Sequence, residues 1–525
     1  MNVLFLQPKT PYSFWSFDQL LKLTGRKALL PPLGLITVAA LLPQEWNMRL
    51  IDRNFQEIRE EMWNWSELVM ISGMIAQSDD VLWMTREAKR RGKTVVVGGP
   101  YATLLPEELR DAGADFVVKG EAETALPLLL DALTAGIKSE VIEEPSKPAM
   151  VTSPIPRFDL LRLDAYDSIG IQTSRGCPYN CEFCNVTTLH GKKTRYKEVH
   201  QIIAELEFLL SLGRRGTVFV SDDNFIGNIN RARSILETLI PWHKAHGEPF
   251  NFWTQVSVNL GQNPELIDLM THANFHTVFV GIETPDEEVL TFSGKHQNVS
   301  NPLAESIGNM NANGLTVVGS FIVGLDNEKE GADDRMVAFA EQTGIPVIML
   351  NVLHPLPQSA LWYRLKQENR LVDERGHGLR TGGELSYVPT RPTAQIMKEY
   401  KSLTDRLYEP SAFLGRTYRF YLAMRPSREA LGIETEADSP PVNNGKTSKK
   451  QIMRDLKSLV FLFWRQGIVR STRIQFWRQL IGLWRSNPSR LSGYAVTLFH
   501  GENLFALRKR LLNGDNSSSA RIGSS

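Results

Sequence analysis

Short apolar runs, each closed by a glycine-rich or polar turn, set the pattern of the first part of the chain. Val3–Leu6 ends before Pro8, Met48–Ile51 at Asp52, Leu68–Ile71 at Ser72-Gly73, Thr94–Val97 at Gly98-Gly99 and Phe116–Val118 at Gly120. Helical stretches such as Asp79–Arg91 lie between them. β-branched runs alternating with helices predict an α/β, doubly wound (Rossmann-like) domain over residues 1–140, its parallel sheet covered on both faces. Ligands of such folds sit beyond the C-terminal strand ends. Those ends are rich in Gly and Ser here, which lets a large ligand approach the backbone. Residues 141–165 carry Pro145, Pro148, Pro154 and Pro156 with few periodic apolar positions, and read as a linker.

A second series starts near residue 166. Ile169–Thr173, Thr217–Val220, Phe252–Val256, Thr277–Glu283, Thr316–Gly324 and Val347–Val352 read as strands, and Gln201–Leu212 as an amphipathic helix. Six strands, each followed by a helix or loop, predict a partial (β/α)6 barrel over residues 166–385. Its reactive groups belong at the C-terminal strand ends, where Cys177, Asp222, Asp223, Gln255, Glu283 and Gln358 stand. Some of these have ordinary alternatives: Asp222 and Asp223 as helix caps, Glu283 as a solvated turn residue before Pro285. Residues 386–525 read as a helical, basic C-terminal region. It contains a helix over Thr393–Tyr408, a loose connection over Glu434–Lys450 and a disordered end around Ser517–Ser519. Ile474, Trp477, Ile481 and Trp484 recur at helical spacing, with Arg470, Arg473, Arg478 and Arg485 around them.

Charge changes the picture in one respect. The 525 residues sum to a formal +1, yet residues 446–525 hold 15 Lys and Arg against 3 Asp and Glu, a net of +12 that leaves −11 for the rest. Such asymmetry calls for an anionic partner, membrane or nucleic acid. No nucleic-acid-binding motif accompanies it. Peripheral contact with a membrane surface and a helix docked on the barrel with a solvated basic rim both fit the tryptophan-bearing stripe. A hydrophobic content of 42% and a charged content of 22% are those of a soluble globular protein. The longest apolar candidate, Ala28–Leu42, is interrupted by Pro31-Pro32 and too short to span a bilayer. The expected location is the cytoplasm, peripheral to the inner face of the membrane.

The chemistry concentrates in Thr173-Ser-Arg-Gly-Cys177-Pro-Tyr-Asn-Cys181-Glu-Phe-Cys184, which holds all three cysteines of the chain. Three soft thiolates at CxxxCxxC spacing suit an iron–sulfur cluster. With four irons and three ligands, one iron stays open to bind and activate a small molecule. Zinc is the alternative, with His190 as a fourth ligand, but the spacing is not one of its usual patterns. A disulfide framework fits poorly with an odd count in a long chain.

On these residues the chain resembles the radical S-adenosylmethionine (SAM) superfamily; Arg175-Gly176-Cys177-Pro178 and Phe183 before the last cysteine also match. The resemblance implies a 4Fe-4S cluster on Cys177, Cys181 and Cys184 whose open iron chelates SAM and cleaves it to a 5′-deoxyadenosyl radical, with an electron from a flavodoxin- or ferredoxin-type reductant. It further implies that Glu283 meets SAM from the fourth strand, that Gln255 and Ser257 bond its ribose or carboxylate, and that Gly324 ends a segment lying against adenine. Leu353–Leu361 resembles the sixth-strand PxPGTxL ending with Gln358 in place of glycine, an unfavourable residue for a positive φ. The N-terminal region resembles the cobalamin-binding domain that precedes many such barrels, with Pro32 and Gly34 in a PPLG loop, Ser72-Gly73 in a Ser-x-Leu-like element, and Gly98-Gly99. It departs from the DxHxxG carriers: all ten histidines lie at 190 or later, so this domain supplies no imidazole to cobalt. A bare flavodoxin-like domain is the alternative, and a nucleotide site lacks its glycine motif.

Segments from Tyr12–Trp15 through Pro31–Leu42 to Asp52–Asn54 look like hopanoid C-2 methylases. The expectation is a cobalamin-dependent radical SAM methyltransferase acting on an unactivated carbon of a polycyclic lipid. The rivals are a cobalamin-dependent cyclase or tetrapyrrole-modifying enzyme, and an iron–sulfur electron carrier.

Overall fold

In the computed structural model, which describes residues 1–375, 385–432 and 449–513, two six-stranded parallel sheets carry the molecule. The first has the order β2-β1-β3-β4-β5-β6, from β1 (Asn2–Gln7), β2 (Asn47–Asp52), β3 (Leu68–Ser72), β4 (Thr94–Gly98), β5 (Phe116–Gly120) and β6 (Glu140–Glu144). The first five are the apolar runs of the sequence. β1, β3, β4 and β5 are buried because helices cover both faces: Val81, Met84 and Ala88 pack on one side, Leu35, Ala39, Leu126 and Leu129 on the other; β2, at the edge, buries only Ile51 and Asp52. β6 was not anticipated. Its sequence, Glu-Val-Ile-Glu-Glu, buries only Ile142 and carries charge on both sides, as an edge strand does. The sheet therefore runs to Glu144, past the boundary expected at residue 140.

The second sheet has the order β14-β13-β12-β11-β10-β7, with β7 (Ile169–Ile171), β10 (Gly216–Val220), β11 (Phe250–Val256), β12 (Phe275–Glu283), β13 (Thr316–Val323) and β14 (Val347–Val352). Between β7 and β10 lies a small antiparallel pair, β8 (Ser174–Arg175) with β9 (Arg195–Tyr196). The six strands follow chain order, and β7 and β14 are both edges, so the barrel is open. The register shifts between Gly281 and Glu283, where β12 meets β13.

The remaining helices complete the barrel's core rather than forming one of their own. Helices Thr393–Leu407, Pro410–Ala423 and Leu491–Leu512 place Leu403, Phe413, Phe420, Leu498 and Phe505 in the same apolar cluster as Val278, Phe321 and Ile348 of the strands. The Leu491–Leu512 helix also holds the N-terminus: Phe17 meets His500 edge-to-face, with centroids 5.5 Å apart. The Arg473–Ser486 helix docks through Phe476 and Leu483, on the opposite side from Ile474 and Trp484. The connection expected over Glu434–Lys450 lies outside the described residues up to 448; Lys449 and Lys450 begin a helix. Ser517–Ser519 also lie outside them. Among the described residues no helix is long and apolar enough to cross a membrane.

Candidate functional site

The C-terminal ends of the two sheets face each other across a cavity of about 1280 Å³. The N-terminal domain lines it with Pro31, Pro32 and Gly34 from its second loop, Ser72 and Gly73 after β3, and Gly98 and Gly99 after β4. Gly34 presents bare backbone, with no atom within 4 Å of where a Cβ would stand. Gly99 has φ +87°, and a Cβ there would lie 2.3 Å from Ser72 Oγ, so glycine is also what lets the ends of β3 and β4 abut. All six expected residues of this domain thus meet on one surface, a shallow cradle for a flat, bulky group.

From the barrel come Gln172 after β7, Phe219 on β10 and Ser221 just after it, Trp253 and Gln255 on β11, and Leu350, Asn351 and His354 at the end of β14. Phe219 and Trp253 stack at 3.9 Å and form an aromatic floor. Burial holds the His354 imidazole down at about 4, so it is neutral; its Nδ1 has no hydrogen-bond partner among the described residues. A third contribution was not foreseen: Leu507, Arg510 and Leu511 of the last helix, with Tyr12 of the N-terminal segment, close the cavity's far wall. The Arg510 guanidinium lies 3.9 Å over the Tyr12 ring.

The cysteine loop leaves β7 beside this cavity, and its path is dictated by Asp222. That carboxylate is buried and accepts from both backbone N–H groups and both hydroxyls of Thr173 and Ser174, at 2.7 Å and 3.0 Å from the amides. Asp223 accepts from Gly176 N at 2.8 Å. Neither caps the following helix, whose N-cap is Asn228; the acidic pair pins the entry of the loop. Gly176 has φ +96°, and a Cβ would come within 2.9 Å of the Gly191 and Lys193 carbonyls. Glu182 anchors the far side, paired with Arg364 at 2.9 Å; Arg364 in turn reaches Asp326 at 2.8 Å, and Arg370 completes the network at 2.6 Å.

The three thiols between these anchors suit a group that strips their protons. Burial raises the Cys177 thiol and pushes that of Cys184 up to about 12, so these two would give up their protons only to a bound metal. Gln297 Nε2 stands 3.5 Å from Cys181 Sγ, a donor for a thiolate. Lys295, close to Phe183, adds positive charge. The loop therefore fits an iron–sulfur cluster by donor chemistry and by charge.

The other expected residues take different places. Glu283 is buried at φ +66°, paired with Lys295 and accepting from Ser320 Oγ at 3.2 Å. Ser257 is bonded to Asn224 at 3.0 Å and to Asn259 at 2.5 Å. Gly324 donates to Glu328 at 2.9 Å, and its carbonyl accepts from Tyr387. None of the three lines the large cavity. The ends of β12 and β13 fold into a buried polar cluster of their own, while those of β7, β10, β11 and β14 open toward the N-terminal domain.

Residues 171–340 match the radical SAM superfamily, residues 23–130 match the B12 binding domain, and residues 359–517 match a domain of unknown function. An uncharacterised methyltransferase of Synechocystis is 45% identical over 97% of this chain and 92% of its own length. The hopanoid C-2 methylase of Rhodopseudomonas palustris is 32% identical over 91% of this chain and 88% of its own. The chain belongs to the cobalamin-binding radical SAM methyltransferases.

The fold of this methyltransferase is also that of two solved structures. The cobalamin-dependent radical SAM enzyme OxsB superposes with a TM-score of 0.59 at 14% identity, covering 100% of this chain and 82% of its own. The radical SAM methyltransferase TsrM from Kitasatospora setae superposes at 0.55 and 17%, covering 76% and 84%. The cofactors are a 4Fe-4S cluster, SAM and cobalamin, and the bare Gly34 backbone with the glycine-lined strand ends fits the corrin.

Sequence reading missed the ion pairs that tie the methyltransferase's two domains together. Glu121, at the end of β5, takes Arg195 at 2.5 Å and Arg175 at 2.7 Å; Glu123 takes Arg175 at 2.9 Å. Arg175 was visible as part of the cluster motif. Its partners, in another domain, had no local signature.

Proposed function

We propose that this methyltransferase adds a methyl group to an unactivated carbon of a polycyclic lipid, at C-2 of a hopanoid, with a flavodoxin- or ferredoxin-type reductant in the cytoplasm. Cys177, Cys181 and Cys184 hold the cluster, Gln255, Ser257, Glu283 and Gly324 serve SAM, and the cradle around Pro32, Gly34, Ser72, Gly73, Gly98 and Gly99 holds the corrin. When bound, the cluster supplies the electron that cleaves SAM, and the corrin supplies the methyl-transfer chemistry.

The observation that carries the reading is the apolar wall of the shared cavity. Leu21, Leu29, Leu30, Phe14, Leu507 and Leu511 surround a space of about 1280 Å³. That exceeds the roughly 300–1,000 Å³ of an ordinary small-molecule site. From the barrel, Gln172, Gln255, Asn351 and the neutral His354 reach into it without charge, and Arg175, the charged barrel residue of the lining, is held by Glu121 and Glu123. The residues of this chain exclude water and orient an apolar substrate by shape. The 32% identity to the Rhodopseudomonas palustris enzyme supports the hopanoid and the C-2 position.

The test is turnover by the anaerobically reconstituted protein with SAM, reductant and a hopanoid. The expected product is heavier by one methylene, with 5′-deoxyadenosine and S-adenosylhomocysteine in equal amounts. Methylation of a tetrapyrrole but not a hopanoid would overturn the substrate, and 5′-deoxyadenosine without S-adenosylhomocysteine would overturn methyl transfer.

A further inference from the structure

The helices Lys449–Trp464 and Arg473–Ser486 pack on each other through Phe463, Phe476 and Trp477, and Trp477 Nε1 donates to the Gly467 carbonyl at 3.0 Å. Each leaves a second apolar stripe that is exposed among the described residues. On the first, Leu456, Val460 and Trp464 follow one another at intervals of four residues, and Ile468, in the π-helical turn that follows, continues the row; Val460 is 62% and Ile468 63% exposed. On the second, Ile474, Ile481 and Trp484 point outward, Ile474 at 77% and Trp484 at 61%. Large apolar side chains in such a row are seldom left to water without a use.

Charge selects the occupant. From Leu456 to Gly501 the chain has seven Lys and Arg and no Asp or Glu; Glu502 pairs with Arg465 and Arg470, which leaves five. Arg473, Arg478 and Arg485 are exposed on the same helix as the tryptophan stripe. A protein partner needs no such one-sided field, whereas an anionic bilayer rewards a tryptophan-bearing stripe edged with arginine. The Arg473–Ser486 helix has 14 residues, about 21 Å at 1.5 Å each, too short to cross and suited to lying in the interface.

Position links the surface to the cavity. Ser458 of the first helix donates to the Leu23 carbonyl at 2.7 Å. Leu23 belongs to the helix Asp18–Thr24, whose Asp18 and Leu21 line the cavity. We infer that the paired stripes seat the enzyme on an anionic lipid bilayer, next to the wall through which an apolar substrate enters. The seating stands on exposure and charge; only the entry of substrate rests on the lipid reading above.

Co-sedimentation of the full, cofactor-loaded chain with vesicles tests it, two parts phosphatidylcholine to one part phosphatidylglycerol, against phosphatidylcholine alone. The mixed vesicles should bind the protein, with a blue shift of tryptophan emission, and binding should weaken in high salt. Ile474→Ser with Trp484→Ser should weaken binding about tenfold by removing buried apolar area. Arg478→Glu with Arg485→Glu should do so by charge alone. All four side chains are exposed, so circular dichroism and iron content should be unchanged. Equal pelleting of wild type and both variants overturns the proposal. So does a wild type that ignores the vesicles and instead forms a dimer, by light scattering, that the serine variant dissolves. Vesicle binding with no methylated hopanoid would keep this inference and reject the substrate.

Discussion

Two side chains at strand ends show how local cost and long-range gain are combined. Gln358 stands at φ +61°, which disfavours any residue but glycine, and its Nε2 donates to the Leu104 carbonyl of the other domain at 2.7 Å. Relief of the left-handed strain and loss of the bond are each worth about 1 kcal/mol. Gln358→Gly should therefore leave stability to urea nearly unchanged, while Gln358→Ala, which keeps the strain and loses the bond, should lower it by about 1 kcal/mol. A larger loss for glycine than for alanine would show that the left-handed backbone at this position stores no strain. Asp222 has no such balance. Replacing it by Ala strands two buried backbone donors, at about 1–3 kcal/mol each, and frees the entry of the cysteine loop. Asp222→Ala should hold less than about half of the wild-type iron after reconstitution, measured by iron and sulfide analysis; full iron content would remove Asp222 from the support of the loop.

Between elements, the joint of the two sheets is electrostatic. Burial alone would raise the Glu121 carboxyl, but nearby His190 and the hydrogen bonds from Arg195 and Arg175 outweigh it and hold it well below the usual carboxylate range. Its stabilisation is complete above the ordinary carboxylate value and is lost as pH falls through the lowered one. Glu121→Gln should cost about 3 kcal/mol at neutral pH, read from urea unfolding, and should speed proteolysis between the domains; no change in either would make the pair incidental. Periodicity revealed the strands because a buried parallel strand needs an unbroken apolar run, and the cysteines because their spacing is local. The joint was not legible, because Glu121 and Arg195 are 74 residues apart and nothing in either neighbourhood names the other. β6 escaped for a related reason: an edge strand such as Glu140–Glu144 is charged on both sides and shows no apolar run. The stripe at Ile474, Trp477, Ile481 and Trp484 was legible as a helix, but only Trp477 of it packs, on Phe463, and the helix docks chiefly through Phe476 and Leu483.

At the scale of the molecule, the first and last segments are locked together. Burial holds the His500 imidazole, packed on Phe17, down at about 4, against an ordinary value near 6.5. The unfolded chain binds this proton between those values and the folded chain does not, so stability falls on acidification by up to about 1.4 kcal/mol per pH unit for this group. His500→Leu should lose that slope: relative to the variant, the wild-type urea midpoint should drop between pH 7.5 and 5.5. Equal drops in the two proteins would mean that His500 titrates as in water. The cavity has the same dependence on both ends of the chain, since Tyr12 and Phe14 close it with Leu507, Arg510 and Leu511. Translation delivers one half of that wall before the first sheet is complete and the other after the second. A nascent chain can finish both sheets and still present an open trough. Full enclosure of whatever occupies the cavity must therefore wait until Leu511 has been made and its helix has docked.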